Sequence, residues 1–187
     1  MVQPDHRPES ATSKAASSEE DASTITLRSP TAADGAAIHR LIAACPPLDT
    51  NSLYCNLLQA SHFAQTCILA EQNGQAVGWI SGYIPPNDPH TLFVWQVAVH
   101  EAARGQGLGR RMLQGQLDRP SLAGVRQIQT TITPSNQASW ALFKGFAKAR
   151  GASLSHEAHF HRDRHFQGAH ETEHMVSITL SSAAVAA

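Results

Sequence analysis

Apolar side chains fall in short runs along this chain, and the runs switch between a period near 3.6 and a period of two. Ile25–Arg28 reads as a short first strand. Thr31 can cap a helix with Asp34 at its third position, a capping box with Asp in the usual Glu place. Ile38, Leu41 and Ile42 give that helix one apolar stripe, and Pro46-Pro47 ends it. Leu53, Leu57 and Leu58 keep helical spacing behind Asn51 or Ser52 as a cap. Cys67–Ala70 and Val77–Ile84 read as two strands, with Asn73-Gly74 as the hairpin turn between them. After the proline-rich loop at 85–89, Phe93–Val99 is apolar and β-branched, short for a helix, and reads as a buried strand. Leu108, Met112 and Leu113 share one helical face, with Arg110 and Arg111 pointing outward. Gln127–Thr133 alternates as a strand. Pro134 marks a junction, and Ser135 or Asn136 starts a helix carrying Ala138, Leu142, Phe143 and Phe146. Leu154–Phe160 and Met175–Leu180 read as two closing strands. This order predicts a three-layer α/β or α+β domain with a mixed sheet.

Composition narrows the picture. With 187 residues, 42% of them apolar, the chain can form one domain with a proper core. Residues 1–23 are rich in Ser, Ala, Glu, Asp and Pro and read as a disordered arm; residues 24–181 form the domain, and 182–187 are expected to fray. A net charge of −1 offers no general attraction to nucleic acid or an anionic membrane. No apolar run reaches the roughly 18 residues of a membrane span, and the first residues lack the apolar core of a secretory signal. Cys45, Cys55 and Cys67 are odd in number and form no CxxC pair, which suits reduced thiols in the cytoplasm.

Candidate chemistry centres on Phe93–Leu113. A strand that runs through Arg104-Gly105-Gln106-Gly107-Leu108-Gly109 into a helix leaves several backbone N–H groups unpaired at one point. Those donors and the positive end of the helix dipole suit a phosphate, and glycines let the backbone approach it. Any tight strand-to-helix turn also favours glycine, so the turn has a purely structural reading too. Neither familiar nucleotide motif is present: there is no Gly-Lys-Ser/Thr ending and no GxGxxG.

The pattern Arg104-x-x-Gly107-x-Gly109 instead resembles the signature of the GNAT superfamily of N-acetyltransferases, and Thr133–Phe146 resembles a second GNAT stretch. The resemblance implies a three-layer domain with a central mixed, mostly antiparallel sheet flanked by helices. It implies that the turn, through Arg104, Gly105, Gln106, Gly107, Leu108, Gly109 and Arg110, holds the pyrophosphate of acetyl-CoA. The backbone of Val97 and Val99 would face this co-substrate on a strand splayed from its neighbour, and the Asn136 side chain would reach it. Phe143 stands where the family often has a tyrosine general acid, and it has no proton to give.

Three stretches, PPLDTNSLYCNLL, FVWQVAVHEAARGQGLGRRML and GAHETEH, resemble the L-2,4-diaminobutyrate acetyltransferases of ectoine biosynthesis. The resemblance covers roughly 25–180 and implies a homodimer that needs no metal. It also implies that Asp49, Asn51, Tyr54, Trp95, His170 and Glu173 lie in the substrate pocket; from periodicity alone, Asp49 and Asn51 read as caps. An alkyl ammonium of pKa about 10 cannot attack a thioester until it loses a proton. Asp49 and Glu173 are suitable anions for the substrate's ammonium groups. Trp95 offers an aromatic wall, and Asn51 and Tyr54 neutral polar contacts. Glu173 is the expected general base, directly or through water, with His170 assisting. The runner-up is acetylation of another small amine.

A rival motif overlaps this site. His170-Glu171-Thr172-Glu173-His174 matches HExxH, the motif of zinc metallopeptidases, which works only on a helix. The alternation of Met175–Leu180 predicts a strand instead, and no residue after His174 offers a third ligand. His156, His159, His161 and His165 read first as a solvated loop and second as an adventitious metal binder.

Overall fold

The computed structural model describes residues 24–180; the arm expected at 1–23 and the tail at 182–187 lie outside the described residues. Strands are β1 (Thr26–Arg28), β2 (Ile68–Gln72), β3 (Gln75–Tyr83), β4 (Thr91–Val99), β5 (Gln127–Ile132), β6 (Ser153–Phe160) and β7 (Glu173–Thr179). Helices are α1 (Gly35–Ala43), α2 (Leu53–Ser61), α3 (Leu108–Leu117), α4 (Gln137–Ala149) and the short α5 (Arg162–His165). They form one seven-stranded sheet in the order β1-β2-β3-β4-β5-β7-β6, in which only the β4–β5 pair is parallel. The mixed, mostly antiparallel sheet is therefore present.

The two faces are covered separately. Leu108, Met112 and Leu113 of α3 and Trp140, Phe143 and Phe146 of α4 pack on Ile80, Leu92, Val94, Ile128 and Val176. Ile38, Leu41 and Ile42 of α1 pack with Leu69, Trp79 and Ala98 on the opposite face. Phe143 is thus a core side chain. The i, i+3, i+4 stripes seen in the sequence are the buried faces, because each helix has one sheet surface to cover.

Three differences from the sequence reading matter for the site. First, β4 is not a plain strand. Ser81 pairs with Gln96 but Gly82 pairs with Val94, so Trp95 is an inserted residue, a β-bulge. It shifts the alternation: Val94 and Val97, three residues apart, pack against the same core. Second, β4 and β5 pair only from Thr91↔Gln127 to Phe93↔Gln129. Beyond that, β5 continues with β7 alone, and Val94–Val99 has no β5 partner. Third, α4 runs past Gly145 to Ala149, and the histidine-rich loop contains α5.

The entry into α1 is tied by charge. Arg28 donates from Nη1 and Nη2 to the two Asp34 carboxylate oxygens at 2.9 and 2.7 Å, and from Nε to Glu71 Oε2 at 2.8 Å. Thr31 N also donates to Asp34 Oδ2, at 2.7 Å. The Arg28 hydrogen bonds, opposed by partial burial, hold the Asp34 carboxyl down at about 2 from its ordinary 3.8. A depressed folded-state pKa stabilises above the unfolded value and loses that stabilisation as pH falls through the folded one. Asp34→Ala should therefore lower stability at pH 7 by about 1–3 kcal/mol. Thermal melts should show the gap to wild type closing between pH 4 and pH 2; an equal gap at both ends contradicts this account.

Candidate active site

The opening between β4 and β5 leads to the glycine turn. Gly105 (φ 76°) and Gly107 (φ 72°) both sit in the left-handed region that side chains disfavour, and Gly107 is the N-cap of α3. Arg104 Nε donates to Val99 O at 3.0 Å, and Cys45 Sγ donates to the same oxygen at 3.4 Å. The end of β4 is thus pinned where the turn begins. Gly109 contributes in a different way: a Cβ there would stand 3.1 Å from Leu142 Cδ1 of α4, closer than an ordinary contact. It lets α3 and α4 cross closely.

These elements enclose a cleft of about 510 Å³. Val97, Val99, Arg104, Gly105, Gly107, Leu108, Gly109, Arg110 and Asn136 all line it. The Gln106 side chain does not; its Nε2 donates to Ala102 O at 3.2 Å, back toward the preceding turn. Asn136 caps α4, its Oδ1 accepting from Ser139 N at 3.0 Å, and it lines the cleft from that position. Two further linings escaped the sequence reading. One is Cys45–Leu48, from the α1–α2 connection. The other is the α4 stripe Ala138, Ala141, Leu142 and Gly145, small side chains except for Leu142, whose i, i+3, i+4, i+7 spacing was a legible signal.

The cleft has the chemistry an acyl-CoA needs. First-turn N–H groups of α3 lack intrahelical acceptors and point out of its N-terminus. Arg104 and Arg110 add two cations at the same end. The unladdered side of β4 offers backbone groups to an amide-bearing arm, and the small α4 residues leave room for it.

The expected acceptor residues are more dispersed. Asp49 and Asn51 lie between α1 and α2, where Asp49 Oδ1 accepts from Asn51 N at 3.2 Å and Asn51 is left-handed (φ 54°). Ser52, not Asn51, caps α2, accepting from Cys55 N at 3.1 Å. Tyr54 is 69% exposed on the first turn of α2. Trp95, 47% exposed at the bulge, meets Tyr83 edge-on at 6.5 Å. It lines a second hollow of about 610 Å³ together with Phe63, Tyr83, Phe93, Phe160 and Met175, among others. Glu173 opens β7, and its Oε1 is 3.9 Å from His170 Nε2. His170 Nδ1 contacts Glu171 O at 2.9 Å, and Ser135 Oγ donates to Glu171 Oε2 at 2.7 Å, tying this loop to the start of α4. His170 and Glu173 are thus brought together. Asp49, Asn51, Tyr54, His170 and Glu173 line neither of the two hollows.

The HExxH reading fails on conformation. His170–Thr172 is not helical and Glu173–Thr179 is a strand, so the two histidines cannot share one helical face. Among the described residues, no group of three or more His, Cys, Asp or Glu side chains is placed to hold a metal. His174 Nδ1 instead lies 3.4 Å from His156 Nδ1 on the neighbouring strand.

Comparison with known proteins agrees with this geometry. The model of the acetyltransferase (GNAT) family matches residues 36–147. The chain is 54% identical over 154 residues to the L-2,4-diaminobutyric acid acetyltransferase of Methylotuvimicrobium alcaliphilum, spanning 82% of this chain and 90% of that protein. It is 49% identical over 156 residues to the enzyme of the same name from Vibrio cholerae, spanning 83% and 90%. Among solved structures, it is similar to the diaminobutyrate acetyltransferase of Paenibacillus lautus in complex with its substrate L-2,4-diaminobutyric acid and coenzyme A. That match has a TM-score of 0.80 at 39% identity and covers 84% of this chain and 95% of that one. A glycine turn at the head of α3 beside a splayed pair of strands, and relatives of this identity and coverage, lead to one conclusion: the chain belongs to the acetyltransferase (GNAT) family and, within it, to the L-2,4-diaminobutyric acid acetyltransferases.

Proposed function

We propose that this protein transfers the acetyl group of acetyl-CoA to the γ-amine of L-2,4-diaminobutyrate. The product, N4-acetyl-L-2,4-diaminobutyrate, is the precursor cyclised to ectoine, an osmotic-stress protectant. The carrying observation is the loss of β4–β5 pairing beyond Phe93, directly beside the glycine turn at the head of α3. The substrate rests on the Paenibacillus lautus relative, whose structure holds diaminobutyrate and coenzyme A.

Bound acetyl-CoA supplies the thioester whose carbonyl carbon receives the amine. The first-turn N–H groups of α3, with Arg104, Arg110 and the Gln106 backbone, hold the diphosphate. The Val97 and Val99 backbone aligns the pantetheine arm, and Asn136 borders it. A β4 N–H polarises the thioester oxygen as negative charge develops there. Asp49 and Glu173 hold the two ammonium groups, Trp95 walls the stem, and Asn51 and Tyr54 add polar contacts. Glu173, directly or through a water, takes the proton of the γ-ammonium, and His170 at 3.9 Å supports the carboxylate. The nitrogen then forms its bond to carbon as the carbon–sulfur bond breaks, and the second N–H proton, shed as the neutral amide forms, passes through solvent to the departing thiolate. Phe143 is buried and protonless, so the thiolate leaves without help from that position. No covalent intermediate on the enzyme is needed once the amine is held about 3–3.5 Å from the carbon.

A homodimer in the cytoplasm, acting on a small molecule without a metal, completes this reading. Family membership and three free cysteines support it. The near-neutral net charge supports the absence of a nucleic-acid partner. Among the described residues, no helix is long and apolar enough to cross a membrane.

A thiol-release assay with diaminobutyrate, ornithine, lysine and polyamines, with NMR of the product, tests the proposal. Ornithine, one methylene longer, should show kcat/KM lower by about 10–200-fold. A polyamine or ornithine used as well as diaminobutyrate would favour acetylation of another small amine.

A further inference from the structure

Gln96 stands between the two sides of this site. It follows the bulged Trp95 and precedes Val97, which lines the cofactor cleft. Its side chain is nine-tenths buried, at 9% exposure. Nε2 donates to the backbone carbonyl of Asp49 at 2.6 Å, a contact spanning 47 residues of chain. Oε1 is buried and makes no hydrogen bond among the described residues. Ser81, opposite Gln96 in the β3–β4 register, has a buried hydroxyl in the same condition.

Retaining an amide here is costly. A buried acceptor without a partner loses its hydration and receives nothing in return, whereas Leu or Met would fill the space without that loss. The donor half of the amide is what Gln96 contributes, and it is spent on one carbonyl in a segment with no helix or strand of its own. That segment also holds Asn51 left-handed through the Asp49 carboxylate.

We propose that Gln96 is a positioning residue. It ties the Asp49 segment to β4, so that the group holding the acceptor amine is set against the strand that runs along the cofactor cleft. The proposal rests on the acetyl-transfer reading above. The bulge at Trp95 makes the tie possible. By shifting the alternation it leaves Val97 on the α3–α4 core while Gln96 faces the α1–α2 connection. Adjacent residues of β4 therefore face the α3–α4 core and the Asp49 segment on opposite sides of the sheet. Without the Gln96 donor, the Asp49 carbonyl loses its partner, and the segment is free to move away from β4. Amine binding then weakens, while the turn at Gly105–Gly109, untouched by this contact, still holds the cofactor.

The test uses Gln96→Leu and Gln96→Met, with Gln96→Glu as an isosteric side chain whose carboxylate cannot donate to a carbonyl. KM for diaminobutyrate should rise about 10-fold or more in each. The calorimetric Kd for coenzyme A should stay within about twofold. The Tm of Gln96→Leu should equal or exceed that of wild type, because an unpaired buried acceptor has been removed. Combining Gln96→Leu with Asp49→Asn should add little to Asp49→Asn alone, since both act on one segment. Unchanged KM in folded Leu and Met variants, fully additive penalties, or a parallel loss of coenzyme A affinity and Tm each overturn the inference. Inertness of wild-type protein toward diaminobutyrate overturns the functional reading and this inference with it. An active wild type with an unaffected Gln96→Leu overturns the inference alone.

Discussion

Glu173→Gln should lower kcat by about 10²–10⁴-fold, the usual scale of a lost general base, while coenzyme A binding stays as in wild type. Gln keeps the shape of the side chain and its place at the first position of β7. It cannot take the proton that the γ-ammonium must lose before it attacks. The Glu173 carboxylate is 19% exposed and 3.9 Å from His170 Nε2. Ser135 Oγ bonded to Glu171 holds the adjoining loop against α4, so the substitution should not disturb the local backbone. Steady-state kinetics across pH, paired with calorimetry for coenzyme A, give the measurement. Full turnover with an unchanged pH–rate profile would remove Glu173 from the role. A matched loss of coenzyme A binding would make the effect structural.

Gly107→Val should weaken coenzyme A binding by about 10- to 100-fold. Its φ of 72° places a β-branched residue in a region costing on the order of 1–3 kcal/mol. Relief of that strain reorients the N–H groups at the head of α3. A Cβ at Gly107 would meet only Arg110 Nη2, at 3.5 Å, an ordinary contact, so the expected effect comes from the backbone and not from a clash. Strain alone can be separated from binding. Gly74, at the β2–β3 hairpin, has an equally left-handed φ of 73°, open space around its Cβ direction, and no place in the cleft. Gly74→Val should lower Tm and leave the coenzyme A Kd near wild type. If Gly107→Val binds coenzyme A as tightly as Gly74→Val does, the turn is only a structural corner and the cofactor site lies elsewhere.

The sites of these substitutions were legible to different degrees. The turn at 104–109 was readable because its signal is local: glycines at a strand-to-helix junction report backbone conformation directly. The cap at Asn136 and the stripes of α1, α3 and α4 were local for the same reason. The bulge at Trp95 was not. It exists only relative to β3, through the step from Ser81↔Gln96 to Gly82↔Val94, and a lone strand carries no record of its partner's register. The family resemblance implied a splayed strand, but where it opens depends on β7. The closing strand pairs with β5 as far as Ile132↔His174 and holds it after β4 has left. Gln106 has its place in the motif while its side chain turns back to Ala102 O, which leaves only its backbone for the turn. HExxH was a true match of letters in the wrong secondary structure, which the following alternation already indicated.

By itself, the sequence determined which long segments become helices and strands, where the glycine turn falls, and which faces seek a core. Each of these is set by interactions within a few residues: periodicity, caps and the conformational freedom of glycine. Only the tertiary structure decided that β4 parts from β5 after Phe93, that Cys45–Leu48 closes the cleft, and that Gln96 reaches across the fold to Asp49. Those contacts join residues dozens of positions apart. Their existence depends on strand register and helix docking, which no local stretch of chain encodes.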